Sequence, residues 1–212
     1  MFGAHDLWLF VLSGFLLNIT PGPDTLYIVG RSSAQGWRAG AVAALGIGAG
    51  TLLHICAAAL GLSAILAASA AAFTAVKFIG AAYLLYVGIS LIRSAGAAES
   101  SPGAVIARQA SIQDIFVQGF LTNVLNPKVA LFFLAFLPQF VAADASSKPL
   151  AFLFLGAVFD FNGTLWNLFV AWSAARLSSS LAPSAAFRRW FNRCVGGLFV
   201  VIGIRLALAH DR

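Results

Sequence analysis

Two segments of the chain combine amide side chains with helix-breaking prolines inside apolar sequence. Residues 14–23 read GFLLNITPGP and residues 119–128 read GFLTNVLNPK, so that Asn18 recurs as Asn123. A proline within a helix removes one backbone hydrogen bond and clashes with the preceding turn, at about 3 kcal/mol or more. In hydrocarbon the freed carbonyl also needs a new partner. Interrupted helices at corresponding places in two halves of a chain indicate the binding site of a secondary transporter.

The half-helix ends at such breaks can hold a small zwitterion. Helix N-termini present amide groups to a carboxylate, and helix C-termini present carbonyl groups to an ammonium. Asparagine side chains add adaptable donors and acceptors, and Thr20 and Thr122 can cap the freed carbonyls. The sequence therefore predicts a substrate site formed by both segments. Its predicted residues are Asn18, Thr20, Pro21, Gly22, Pro23, Asp24, Asn123, Asn126, Pro127 and Lys128.

A structural role stays open for several of these residues. The asparagines can serve only to satisfy the breaks, and Asp24 can cap the second half of its helix. Lys128 can meet a carboxylate, or it can extend its amine to the membrane surface.

Two ionisable residues, His54 and Asp160, lie in other apolar stretches. His54 shares a helix face with Gly46 and Gly50, and this spacing predicts close helix packing and an imidazole that points into the bundle. Asp160 shares its face with small and polar residues, namely Gly156, Gly163, Thr164 and Asn167. A carboxylate at membrane depth costs about 2.5 kcal/mol or more and indicates a functional role, while histidine titrates near neutrality. We predict that the pair meets near mid-membrane and handles a coupled proton. An interhelical hydrogen bond is the alternative for each residue.

The composition requires a membrane to surround these groups. Hydrophobic residues make up 60% of the 212 residues and charged residues 9%, whereas soluble domains are about one-quarter charged. Windows of about 20 residues give six candidate spans. The spans lie near 7–29, 39–61, 64–92, 115–140, 149–174 and 190–209. The first is not expected to be a cleaved signal peptide, because no basic residue precedes it and prolines lie inside it.

The predicted fold is an all-α membrane protein of six transmembrane helices, arranged as two inverted three-helix repeats in which helices 1 and 4 are interrupted. It forms a single domain over 1–212, with repeat 1 at about 1–93, a linker at about 94–114 and repeat 2 at about 115–212. An odd number of helices per half makes the second half enter the membrane upside down. Two further matches support the repeat: Gly50 and His54 with Gly156 and Asp160, and Lys77 and Gly80 with Arg193 and Gly196.

The net charge of +6 comes from scattered basic residues. The chain has no basic patch interleaved with aromatic residues, so we expect no nucleic-acid partner. Most of the arginines fall in or beside the loops after spans 1, 3 and 5. The positive-inside rule makes those loops cytoplasmic and places both termini outside.

Several motifs resemble those of one family. NxTPGP in span 1, KFIGAAYLLYVGI at 77–89 and NPKVALFFLAFLPQF at 126–140 look like the LysE/RhtB family of bacterial amino-acid exporters. His54 with its two glycines, and Asp160, are similar to the homoserine/threonine-type branch. The resemblance implies a carrier in the bacterial cytoplasmic (inner) membrane that expels amino acids or close analogues by proton antiport and alternating access. It implies neither enzyme activity nor a cofactor. Asp24 is acidic where many relatives are neutral, which leaves the charge of the substrate open.

Two alternatives belong to the wider superfamily: a divalent-metal exporter and a transmembrane redox carrier. A metal exporter needs clustered Cys, His or carboxylate ligands, and His54 with Asp160 is a thin set. A redox carrier needs a dithiol, whereas Cys56 and Cys194 form no CxxC motif and are expected to be small buried residues. The particular amino acid, the proton stoichiometry and the oligomeric state stay open, with a homo-oligomer as one alternative.

Overall fold

The computed structural model describes residues 2–62, 110–142 and 144–176, together with separate helical positions between 74 and 93 and between 190 and 208. These residues are almost entirely helical. Within them no β-strand occurs, and a lone bridge pairs Ala4 with Val141. The predicted all-α class is therefore confirmed for the described part of the chain.

The first predicted interruption is present. Helix α1 (Leu7–Ile19) ends at Thr20, whose hydroxyl donates to the Leu16 carbonyl at 2.8 Å and not to the Leu17 carbonyl, the one to which Pro21 has no N–H to donate. Helix α2 (Pro23–Gln35) begins after an extended Gly22 and has proline at its first position, where the missing N–H is not needed. Helix α2 runs six residues beyond the predicted end of this span at 29, because polar residues continue the helix past the apolar stretch.

The second interruption is also present. Helix α3 (Trp37–Ala57) lies between the two broken helices and continues into a π-helical turn, Ala58–Leu62. Helix α4 (Ile112–Val124) then ends before Asn126, whose side chain caps α5 (Pro127–Leu131) by accepting from the Lys128 N–H at 3.0 Å. A π-helical turn and a 3-10 turn extend α5 to Phe140, and the axis bends by 45° at the break.

Helix α6 (Lys148–Arg176) is continuous over 29 residues. It and the segment Trp37–Gly61 are long and apolar enough to cross a membrane, and the bent pair α4–α5 makes a third candidate if it counts as one span. The predicted spans 64–92 and 190–209 fall mostly outside the described residues. The six-helix count and the three-helix repeats therefore stay predictions.

Helices α3 and α4 cross with their backbones in close approach. A Cβ atom added at Gly50 would lie 2.8 Å from the Phe120 carbonyl oxygen, and one added at Gly119 would lie 2.7 Å from the Ala43 carbonyl oxygen. Real Cβ atoms do not approach carbonyl oxygens so closely, so the crossing requires glycine at both positions. The small residues noted in the sequence thus serve helix packing, as predicted.

The two broken helices run antiparallel, and hydrogen bonds connect them at both ends. At one end the His5 N–H donates to the Phe140 carbonyl at 3.0 Å. At the other end Arg31 donates to the Gln118 side chain at 2.7 Å, and Gln35 donates to the Ala110 carbonyl at 3.0 Å. The start of each broken helix therefore lies beside the end of the other, as an inverted relationship between them requires.

Candidate functional site

A small polar cavity lies where the two helix breaks face α3 and α6. Its volume is about 30 Å³, which is room for about two water molecules. Six of the predicted substrate-site residues line it: Asn18, Gly22, Asp24, Asn123, Asn126 and Lys128. Asp160 lines it as well. The other four predicted residues are not among the described lining residues: Thr20, Pro21, Pro23 and Pro127. They shape the backbone of the breaks.

Four polar lining residues were not predicted as site residues: Thr25, Thr51, Thr164 and Asn167. Thr25 lies next to Asp24, Thr51 and Thr164 lie about one helical turn from a predicted residue, and Asn167 lies two turns from Asp160. Thr164 and Asn167 follow Asp160 on one face of α6, and Thr51 precedes His54 by three residues. Helical spacing around the predicted residues is the signal that would have found them.

Asn123 joins the two halves of the described chain at the cavity. Its side chain is 1% exposed. Its Nδ2 atom donates to Asp24 Oδ2 at 2.9 Å, and its Oδ1 atom accepts from the Thr51 hydroxyl at 3.3 Å. These two bonds orient the amide and hold one carboxylate oxygen of Asp24 in place.

Two buried polar atoms at the cavity have no hydrogen-bond partner among the described residues: Asp24 Oδ1 and Asn18 Nδ2. Leaving a buried donor or acceptor unpaired costs about 1–3 kcal/mol. The Asn18 amide lies against α6, where a Cβ atom added at Gly163 would lie 3.0 Å from Nδ2. The cavity therefore presents one anionic acceptor and one neutral donor that a polar ligand can satisfy.

A basic side chain from the other half of the chain meets each helix break. Pro21 has no N–H to donate to the Leu17 carbonyl, and Lys128 Nζ donates to the Leu17 and Thr20 carbonyls at 2.7 Å each. The amine thus lies at the end of α1 rather than at the membrane surface, so the alternative of a surface-seeking Lys128 is wrong.

At the second break Pro127 has no N–H to donate to the Asn123 carbonyl. The His54 Nε2 atom lies 3.1 Å from that carbonyl oxygen. A carbonyl oxygen can only accept, so Nε2 carries the proton of this bond. His54 therefore points into the bundle, as predicted, and adds a second donor to a carbonyl that also accepts from the Asn126 N–H at 2.9 Å.

His54 and Asp160 line different cavities. His54 borders an apolar cavity of about 250 Å³ beside the two π-helical turns, and its ring stacks on Phe133 at 6.0 Å between centroids. Asp160 lines the polar cavity, 3.5 Å from the place of a Cβ atom at Gly48. No hydrogen bond or ion pair joins these two described side chains. The connection that the structure does provide runs from His54 to the Asn123 backbone, and from the Asn123 side chain to Asp24.

The two cysteines bear on the alternative functions. Cys56 and Cys194 are free thiols, and both are exposed on the described surface. The expectation that they are buried is wrong, because outward-facing positions of a membrane helix are apolar too. Within the part of the chain that the structure describes, no group of three or more His, Cys, Asp or Glu side chains is placed to hold a metal ion.

Comparison with known proteins gives full-length matches. The family model for LysE type translocators matches residues 15–210. The chain is 31% identical to an uncharacterized membrane protein of Pseudomonas aeruginosa, over 98% of this chain and 97% of the relative. It is 28% identical to a leucine efflux protein of Enterobacter sp. (strain 638), over 99% and 98%, and 25% identical to a leucine efflux protein of Salmonella typhimurium, over 97% and 96%. No solved structure matches the chain.

Proposed function

Since the chain belongs to the LysE type translocator family, we propose that it is a secondary active exporter of amino acids in the bacterial cytoplasmic membrane. The family resemblance seen in the sequence is confirmed, and the family consists of membrane translocators rather than enzymes. The observation that carries the proposal is the pair of unpartnered polar atoms, Asp24 Oδ1 and Asn18 Nδ2, in one cavity between two broken helices.

These two atoms match the two ends of an amino acid. The substrate ammonium donates to Asp24 Oδ1, and the substrate carboxylate accepts from Asn18 Nδ2 and from amide groups at the N-terminus of α2. A zwitterion satisfies both atoms without adding net charge to the cavity. Together with the leucine efflux proteins among the relatives, this favours a neutral amino acid such as leucine.

The two carboxylates that share the cavity support a mechanism of proton antiport. Asp24 and Asp160 both line it, and either a proton or the substrate ammonium can neutralise negative charge there. Arrival of a proton from outside then favours release of the substrate, and arrival of substrate from inside favours release of the proton. We propose that Asp160 is the principal proton carrier and that His54 transmits the change to the second break through Asn123. Alternating access of the two inverted repeats would expose this cavity to each side in turn.

We also propose that both termini face the outside. The contacts at the two ends of the broken helices support a topology in which His5 and Phe140 lie on one side, and Gln35 and Ala110 on the other. A reporter fused at Arg212 is expected to behave as external, and one inserted at 97–107 as cytoplasmic. The reverse pattern would show that the C-terminus faces the cytoplasm and would contradict the proposed orientation.

Inverted membrane vesicles test the proposed function. Vesicles from overexpressing cells should accumulate radiolabelled leucine when a proton gradient is imposed, and Asn18→Ala should reduce the initial rate about tenfold, because one hydrogen bond to the substrate carboxylate is lost. Asn162→Ala on α6 is the matched control, since Asn162 is not among the described lining residues. Resistance to thiol alkylation and to chelators would separate the exporter from the redox carrier and the metal exporter. If wild-type vesicles accumulate none of the standard amino acids, the proposal is wrong.

A further inference from the structure

The contacts of Lys128 assign this residue a role beyond holding the substrate. We infer that the Leu17 and Thr20 carbonyls form a site for a monovalent cation, and that the Lys128 ammonium is its built-in occupant. The inference rests on the proposed function, because export is one of its readouts. It adds that this carrier supplies its own cation at the first helix break.

The geometry at the end of α1 is that of a cation site. Both carbonyl oxygens lie 2.7 Å from Lys128 Nζ, and both belong to the C-terminal end of α1, where the helix dipole is negative. Thr20 has left the helical conformation, with φ −63° and ψ 120°. In transporters with broken helices, unwound carbonyls and half-helix C-termini are the groups that coordinate a coupling cation such as sodium.

The position of Lys128 fixes its amine at this place. Asn126 caps the start of α5 by accepting from the Lys128 backbone N–H at 3.0 Å. The side chain then passes beside Gly22, where an added Cβ atom would lie 3.7 Å from both Cδ and Nζ. The amine reaches the first break from the second one, so the cation is tethered to the opposite half of the protein.

This arrangement also determines where the ammonium of the substrate binds. Lys128 uses two of its three donors on the α1 carbonyls, so these carbonyls are already occupied. The substrate ammonium is therefore directed to Asp24 Oδ1, which has no partner among the described residues. Because the cation is covalently attached, wild-type export should not depend on sodium.

Two substitutions of Lys128 test the inference in proteoliposomes with defined salts. Lys128→Ala removes the cation and leaves space, so leucine transport in choline chloride should fall about tenfold or more and recover when sodium or methylammonium is added. Lys128→Met keeps the bulk without the charge, so transport should fall and not recover. Wild-type protein and Lys148→Ala, a lysine at the start of α6, should transport equally in choline and sodium.

Several results would overturn the inference. Wild-type transport in choline by either variant would contradict it. A Lys128→Ala protein that reaches wild-type amounts, and whose transport none of lithium, sodium, potassium and methylammonium restores, would also contradict it. Thermal unfolding in detergent separates the cation site from the exporter. Sodium should raise the unfolding midpoint of Lys128→Ala relative to choline and leave that of wild type unchanged. This shift in the unfolding midpoint is expected even if the wild-type protein transports no amino acid. Its absence would exclude the cation site and leave the proposed export function untouched.

Discussion

Replacement of Asp24 by asparagine is expected to lower leucine export about thirtyfold or more. The asparagine oxygen can still accept from Asn123 Nδ2, so the bond of 2.9 Å between the two halves is retained. The substrate ammonium, however, loses its charged partner in a cavity with little water. Truncating one partner of a buried charge pair costs about 2–5 kcal/mol, which corresponds to at least a thirtyfold change. The measurement is the initial rate of proton-driven leucine uptake into inverted vesicles, normalised to the amount of protein.

Asp144→Asn is the control for this substitution. Asp144 is an exposed carboxylate in the loop before α6, so its neutralisation should leave uptake unchanged. If Asp24→Asn protein transports leucine within twofold of wild type, the ammonium does not bind at Asp24. The carboxylate would then be only a cap for α2, as the sequence left open.

The second large effect is expected at Asp160. Asp160→Asn should abolish proton-driven accumulation of leucine while preserving exchange of leucine between the two sides. The substituted side chain keeps its size and a hydrogen-bonding oxygen, so the cavity can still bind and carry the substrate. It can no longer bind and release a proton, so a proton gradient cannot drive net movement.

Two assays on the same proteoliposomes separate these activities. Accumulation is measured under an imposed pH gradient, and exchange is measured with leucine at equal concentration on both sides and label on one side. Asp114→Asn, an exposed carboxylate in the first turn of α4, serves as the control and should retain both activities. If accumulation and exchange fall in parallel with the amount of Asp160→Asn protein, Asp160 has a structural role and another group carries the proton.

The helix breaks and seven of the 17 described lining residues were predictable from the sequence, because a proline in an apolar stretch has a strong local effect. Pro21 and Pro127 interrupt helices wherever they occur in such a context. Their freed carbonyls also had to find partners, since hydrocarbon offers none. The convergence of Asn18 and Asn123 on one cavity follows from the position of both residues beside these breaks.

The partners of those carbonyls were not predictable, because backbone groups leave no signature in the residue pattern. Lys128 and His54 each donate to a carbonyl that lies far away in sequence. Which side chain reaches which carbonyl depends on how the antiparallel broken helices are placed. The sequence accordingly leaves Lys128 open between a carboxylate and the membrane surface, and it predicts that His54 meets Asp160, a pairing that the observed hydrogen bonds do not include.

Charge patterns were similarly ambiguous for Arg31. Arg31 is one of the arginines in or beside the loop after span 1 that the positive-inside rule places on the cytoplasmic side. In the structure it is 7% exposed and donates to the side chains of Gln35 and Gln118. The counting of positive charges cannot distinguish a solvated arginine from one that connects two helices.

The small volume of the polar cavity makes the apparent affinity for substrate depend on how often the cavity opens. At about 30 Å³ the cavity cannot hold an amino acid, so the substrate must bind a more open arrangement that is a minor fraction of the population. The apparent affinity is then the intrinsic affinity multiplied by that fraction, and an open state of about 1% weakens binding about a hundredfold. A carrier of this kind therefore reaches its half-maximal rate at a higher substrate concentration than the open site alone would require.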